Sequence, residues 1–257
     1  MRDALAAEWL KLRSVRSTMW ILGTVVVCML LCVLWAWYAA RSSDGSSAQQ
    51  REVVSAPADQ PLTLALPLCA MVLGSLTITS EYATGMIRVS AAASPRRLRL
   101  LSAKALVAGA VALAAGLVSV SVVLLAGKAI VGDRPVEAFE TPVTGHVPHL
   151  LATGAATAAI TVVTVGLGAV LRSGAATITL GVMLLFVLPT LIVAVPSPYG
   201  ERIWSVLPGT LSEQMASPPG LPYDYGVLSA PAAAGLLAVY VAAALGTGAY
   251  VFCRRDV

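Results

Sequence analysis

The chain has 257 residues, of which 58% are hydrophobic and only 12% charged, and its mean hydropathy is +0.82. Water-soluble domains carry about a quarter charged residues, so this composition excludes an ordinary soluble enzyme or binding module and points to an all-α polytopic membrane protein. The formal charge of +4 matters less than where the charges lie.

Residues Met1 to Ser17 are basic, with Arg2, Lys11, Arg13 and Arg16 against Asp3 and Glu8. Read as a helix, Leu5, Trp9 and Leu12 fall on one stripe, which suits an amphipathic helix at the membrane interface. The first uncharged run, 18–40, is long enough to span a bilayer at about 20 residues. It is too long for a signal-peptide core, and Trp35, Trp37 and Tyr38 at its end resemble an interfacial aromatic belt. A polar loop, Arg41 to Pro61, leads to a second span at 62–79, where Pro67 is expected to kink the helix. Further spans are predicted at 105–126, 150–171, 175–195 (containing Pro189) and 227–252.

The largest polar interruption in the first half is Ser80 to Lys104. It holds Arg88, Arg96, Arg97, Arg99 and Lys104 against a single acid, Glu81. Ser94-Pro95 reads as an N-cap followed by proline at the first helical position, so the stretch ends as the basic, lipid-anchored start of the third span. Lys and Arg are concentrated on one side: four before the first span, these five, Arg172, and Arg254 with Arg255. The other side has Arg41, Arg51, Lys128, Arg134 and Arg202. By the positive-inside rule both termini and the basic stretch are cytoplasmic.

No catalytic constellation emerges. His146 and His149 flank Pro148 without a nearby carboxylate, and the span centres lack the ionisable residues that mark proton or ion paths. Cys28 and Cys32 share a helical face but have no His or acidic neighbours, so with Cys69 they read as apolar fillers, and no disulfide framework or metal site is expected. Gly127-Lys128 is followed by Ala129 and preceded by Val122 at the first glycine position, so it is not a phosphate-binding loop. No cofactor and no nucleic-acid partner is expected for the chain itself. Any energy for transport has to come from another subunit.

Two features offer contact surfaces. Gly109, Gly116, Gly154, Ala158, Gly166, Gly168, Ala238, Ala242 and Gly246 permit close helix packing, within the chain or in a dimer. The proline-rich stretch Pro196 to Gly226 has an apolar centre, Ile203 to Pro208. It is expected to dip into the outer leaflet as a re-entrant segment of broken short helices, with Trp204, Leu207 and Pro208 as an outer gate; a plain outer loop is the alternative.

Taken together, these residues resemble the type-2 permeases of ATP-binding-cassette (ABC) exporters, in particular short six-span actinobacterial membrane subunits. Glu8-Trp9-Leu10-Lys11-Leu12-Arg13 is similar to the family's interfacial elbow. Glu81-Tyr82-Ala83-Thr84-Gly85-Met86-Ile87-Arg88 is similar to its acid–x–x–x–Gly–x–Ile/Leu–Arg segment, with Met86 where threonine is more usual. Ser94-Pro95-Arg96-Arg97, then Ala103-Lys104-Ala105, resembles its re-entry into the third span. The resemblance implies a single permease domain in the cell membrane that pairs with a second copy or a sibling. It implies two cytoplasmic ATPase subunits, which bind ATP and Mg, and a coupling helix at about Tyr82 to Ala93. The residues implied in coupling are Glu81, Tyr82, Gly85, Arg88, Arg96 and Arg97, with Glu8, Trp9, Lys11 and Arg13 in the elbow; anchoring to anionic membrane lipid is the alternative for the arginines. The implied cargo is a hydrophobic or amphipathic drug-like metabolite, lipid or peptide moved outward. A non-transporting sensor or immunity protein on the same fold, or a membrane enzyme with an unrecognised site, is the rival reading.

Overall fold

A computed structural model describes residues 2–43, 60–93, 97–132, 134, 136, 139, 142–216 and 228–254. Among these the regular structure is entirely helical. A short first helix, α1 (Arg2–Ser14), is followed by α2 (Arg16–Ser43), α3 (Gln60–Thr84), α4 (Met86–Ala93) and α5 (Arg97–Val131). After one 3-10 turn come α6 (Val147–Leu171) and α7 (Gly174–Ile192). Two short helices, α8 (Tyr199–Val206) and α9 (Leu211–Ala216), precede α10 (Ala230–Arg254). Six of the ten, namely α2, α3, α5, α6, α7 and α10, are long and apolar enough to cross a membrane.

The breaks follow local chemistry. Gly85 adopts φ +72, which the lack of a Cβ makes accessible, and it separates α3 from α4. Arg172 closes α6 in the left-handed region at φ 54, and Ser173 caps α7 by accepting the Ala176 N–H at 3.4 Å. Within α7 the Met183–Val187 turn is π-helical, just before Pro189. The proline is visible in the sequence, whereas the π turn is not.

Helix α6 is the most enclosed span and lies against α3, α5, α9 and α10. Small residues allow these approaches. A side chain at Gly116 would meet the Gly154 Cα at 3.1 Å, one at Gly166 would run into the Ala244 carbonyl, and one at Gly248 would lie 2.8 Å from the Gly166 carbonyl. These crossings put part of the small-residue pattern inside one chain. On α10, by contrast, Ala238, Ala242 and Gly246 are exposed.

The polar stretch from Ser80 to Lys104 is not a loop. It comprises the end of α3, the whole of α4 and the first two turns of α5, joined by residues outside those described: Ser94, Pro95 and Arg96. Helix α3 continues to Thr84 instead of stopping at 79, and α5 begins at Arg97, because the polar residues here find partners within the protein.

Candidate functional site

Four charged side chains from three helices meet at one end of the bundle. On α1, Leu5, Glu8 and Leu12 share a face (i, i+3, i+7), and Glu8 and Leu12 are buried there. On α3, Thr77 and Glu81 lie one turn apart, and α5 contributes Lys104, flanked by Ala103 and Ala105. The Lys104 side chain is only 1% exposed. Its ammonium donates to Glu8 Oε2 at 2.9 Å, to Glu81 Oε1 at 2.7 Å and to the Thr77 carbonyl at 3.3 Å. Lys11 completes the cluster, donating to Glu8 Oε1 at 2.9 Å, to Glu81 Oε1 at 2.8 Å and to Ser90 Oγ on α4 at 3.2 Å.

Two carboxylates and two ammoniums make a neutral set. This neutrality, with three donors satisfied on Lys104, allows the cluster to be buried despite the desolvation cost of each ion. Burial alone would lower the Lys11 pKa, but the adjacent Glu81 and Glu8 outweigh it and raise the pKa above 10.5. One acceptor is left over: Glu81 Oε2 is buried and has no hydrogen-bond donor among the described residues. Through these contacts the cluster ties α1, α3, α4 and α5 together.

The remaining polar residues of this end form a second layer. The Tyr82 ring lies under the guanidinium of Arg172, 5.1 Å from its centroid, so the α6–α7 turn is stacked on the end of α3. Arg97 reaches the end of α10, donating to the carbonyls of Phe252 at 3.2 Å and Cys253 at 3.5 Å. It therefore binds protein, whichever lipids lie nearby. Arg88 on α4 is exposed, and so is Gly85. Arg96 lies outside the described residues. In α1, Trp9 is 52% exposed and Arg13 exposed. The expected Leu5–Trp9–Leu12 stripe is corrected accordingly: Glu8 takes the inner face in place of Trp9. A carboxylate on the packed side of the helix is what blurs its amphipathic pattern.

At the opposite end, α8 and α9 form a helix–turn–helix in which α9 lies against α6 and α10 and α8 against the end of α7. Thr210 Oγ1 donates to the Trp204 carbonyl at 2.7 Å, Gln214 Nε2 to the Ser205 carbonyl at 2.9 Å, and Tyr240 Oη to the Val206 carbonyl at 2.8 Å. Side chains thus satisfy the backbone where the helix is interrupted. Trp204 is half-buried, Leu207 buried and Pro208 half-buried. Trp204 borders a cavity of about 290 Å³ between α3, α6, α7 and α9. Its walls are largely apolar, with Thr153, Thr157 and Thr210 among its hydroxyls; Leu185 and Phe186 of the π turn in α7 lie on its surface, with Pro189 and with Pro67 of α3.

The sequence reading missed Lys104 as a buried partner, treating it as a lipid anchor, and passed over Arg172. A lone lysine between alanines, two turns into an apolar helix, was the available signal, since such a charge is costly unless paired.

No curated protein sequence matches the chain closely enough to count as a relative. A sequence profile described as ABC-2 family transporter protein matches residues 4–194, from α1 through α7, which is most of the chain. Six helices long and apolar enough to cross a membrane agree with this match, and the chain belongs to the ABC-2 family of transporters as a transmembrane permease subunit.

Proposed function

We propose that the chain is the membrane half of an ATP-driven exporter, acting as a dimer with a second copy or a sibling and with two cytoplasmic ATPase subunits that hold ATP and Mg. In this reading the cluster lies at the cytoplasmic face of the cell membrane, α1 is the elbow and α4 is the coupling helix. The observation that carries the proposal is the Glu8–Lys11–Glu81–Lys104 cluster. It is a rigid link from α4, through Ser90 and Lys11, to the elbow and two spans. Force applied to α4 by an ATPase would be passed to the spans through charge-assisted bonds rather than through a loose loop. A transport cycle requires the ATPase to bind the two states of the permease unequally, and the exposed Arg88 on α4 is the side chain we assign to that contact.

The cargo is hydrophobic or amphipathic and leaves outward, with the cavity beside Trp204 on its route and the α8–α9 segment as outer gate. Apolar walls with scattered threonines suit such a molecule. The exposed small residues Ala238, Ala242 and Gly246 of α10 suit close approach by a second membrane helix.

The test is co-expression with candidate cytoplasmic ABC ATPase subunits and measurement of complex recovery and ATPase stimulation. Arg88→Glu is expected to weaken both while leaving the permease folded. Wild-type recovery and stimulation in that variant would remove α4 as the docking element. Transport by the permease without any ATPase would remove the ATP-driven reading altogether.

A further inference from the structure

The cavity beside Trp204 extends along α6 from His149 to Ile160, about 16 Å of helix. Its volume of about 290 Å³ is at the small end of the range for small-molecule sites. Among the described residues no Lys or Arg lines it. Glu213 of α9 is the lining residue that carries a formal charge at neutral pH, and His149 is the only other one that can ionise. Glu213 is exposed as well as lining the cavity, so it stands at the opening. The hydroxyls add to the same bias. A threonine hydroxyl has one proton to donate and two lone pairs. Thr157 Oγ1 donates to the Thr153 carbonyl at 2.6 Å, Thr190 Oγ1 to the Phe186 carbonyl at 2.7 Å and Thr210 Oγ1 to the Trp204 carbonyl at 2.7 Å. With their protons committed to the backbone, these three threonines can meet a molecule in the cavity only as acceptors. Trp204 and Phe186 supply aromatic surface, which attracts cations. Carboxylate, hydroxyls and aromatic rings therefore select in one sense, for a hydrogen-bond donor that carries positive charge.

We propose that this cavity is a binding site for a hydrophobic amine in its ammonium form. The ammonium head meets the Glu213 carboxylate at the opening, and the apolar body lies between the α3 and α6 walls, alongside Leu66, Ala156 and Ile160. A carboxylate offers about four acceptor positions, so Glu213 can serve a ligand while keeping its contacts within the protein. Because Glu213 is exposed, the head keeps part of its hydration there and escapes the full desolvation cost of a buried ion pair. A carboxylic acid of the same shape would set a second negative charge beside Glu213 and turn acceptors toward acceptors, so the site rejects it. The inference deepens the proposed function by naming the class of cargo. It rests on that reading for the export of the bound amine, but not for its binding.

The full chain in nanodiscs of zwitterionic lipid is titrated calorimetrically at neutral pH with phenylbutylamine, phenylbutanol and phenylbutyrate, which share a phenylalkyl body and differ in the head. Heat from nanodiscs without protein is subtracted. The amine is expected to bind about tenfold more tightly than the alcohol, the gap between a charge-assisted and a neutral hydrogen bond, and the carboxylate most weakly of the three. Glu213→Gln is expected to remove the gap between amine and alcohol. Trp204→Leu, which takes away an aromatic wall, is expected to weaken the amine more than the alcohol. Equal binding of amine and alcohol by the wild-type protein overturns the proposal without recourse to a variant. An amine preference that survives Glu213→Gln also overturns it, since the attraction would then arise elsewhere. Because no ATPase is present, failure here leaves the exporter reading standing, and failure of ATPase docking leaves this site standing.

Discussion

Lys104→Met is the sharpest perturbation the structure offers. The methionine fills a similar volume but removes the ammonium that bonds Glu8 Oε2, Glu81 Oε1 and the Thr77 carbonyl. Two buried carboxylates, 4% and 7% exposed, are then left with Lys11 as their only cation within the cluster. Removing one partner of a buried ion pair costs about 3–5 kcal/mol, chiefly because the other charge stays buried and unpaired. At about 2–4 °C per kcal/mol for a chain of this length, the melting temperature falls by roughly 6–20 °C. Intrinsic tryptophan fluorescence during thermal unfolding in nanodiscs reads this directly. The decisive comparison is the double variant Glu81→Gln with Lys104→Met, which restores neutrality by leaving Glu8 with Lys11. It is expected to be more stable than Lys104→Met alone, with a favourable coupling of at least about 1 kcal/mol, as in contacting networks. A wild-type melting temperature for Lys104→Met, or a double variant no better than additive, would refute the assignment of Lys104 as the neutralising centre.

Three further outcomes follow from local geometry. Gly85 sits at φ +72 with open space around it, so Gly85→Ala is expected to cost about 1–2 kcal/mol from conformation alone, and Gly85→Asn less; thermal melts that rank the two equally would contradict this. Gly166→Ala drives a methyl into the Ala244 carbonyl at the α6–α10 crossing, and an overpacking loss of about 1–3 kcal/mol is expected, read as a lower melting temperature with weaker disulfide crosslinking between cysteines introduced on α6 and α10. Lys11 has a pKa raised in the folded state, so its contribution is fully present below pH 10.5 and is lost as pH rises through the folded value. The difference in melting temperature between wild type and Lys11→Gln should therefore be flat from pH 7 to 10 and shrink only in more alkaline buffer.

The six spans were legible because lipid demands long uncharged helices, and that demand is written in composition. Their ends were less legible. Helix α3 was expected to stop at 79 because Ser80, Glu81 and Tyr82 are polar, yet the helix continues since Glu81 is neutralised by lysines 70 and 23 residues away in sequence. Hydropathy along the chain carries no information about such distant pairing. The same limit hid the inner face of α1, where Glu8 displaces Trp9, and the role of Arg97, whose partners are carbonyls at the far end of the chain. The π turn at Met183–Val187 left no mark because its residues are as apolar as any in the span. By contrast, the interruption after Val206 could be read from Pro208 and Gly209, and a side chain at Gly209 would stand 2.5 Å from the Leu185 carbonyl.

The positions of the charges also separate two tasks within one chain. Near the α1 end, the buried ions, the stacked Arg172 and Tyr82, and the bonds from Arg97 of α5 to the end of α10 join most of the elements. Toward the α8–α9 end, contacts are single hydrogen bonds to irregular backbone around a cavity, beside a π turn and two prolines. Ion clusters resist relative movement because each partner is costly to expose or to leave alone. Interrupted helices with their own side-chain acceptors and donors can shift without losing a charge pair. The proposed export cycle, with force received at one end and a passage opening at the other, would use this distribution: stiffness where a partner pushes, and compliance where a passage forms. Moving compliance to the charged end, as Lys104→Met does, should therefore uncouple ATPase turnover from any change at Trp204, which fluorescence of that residue in a background of the other tryptophans replaced by phenylalanine can detect.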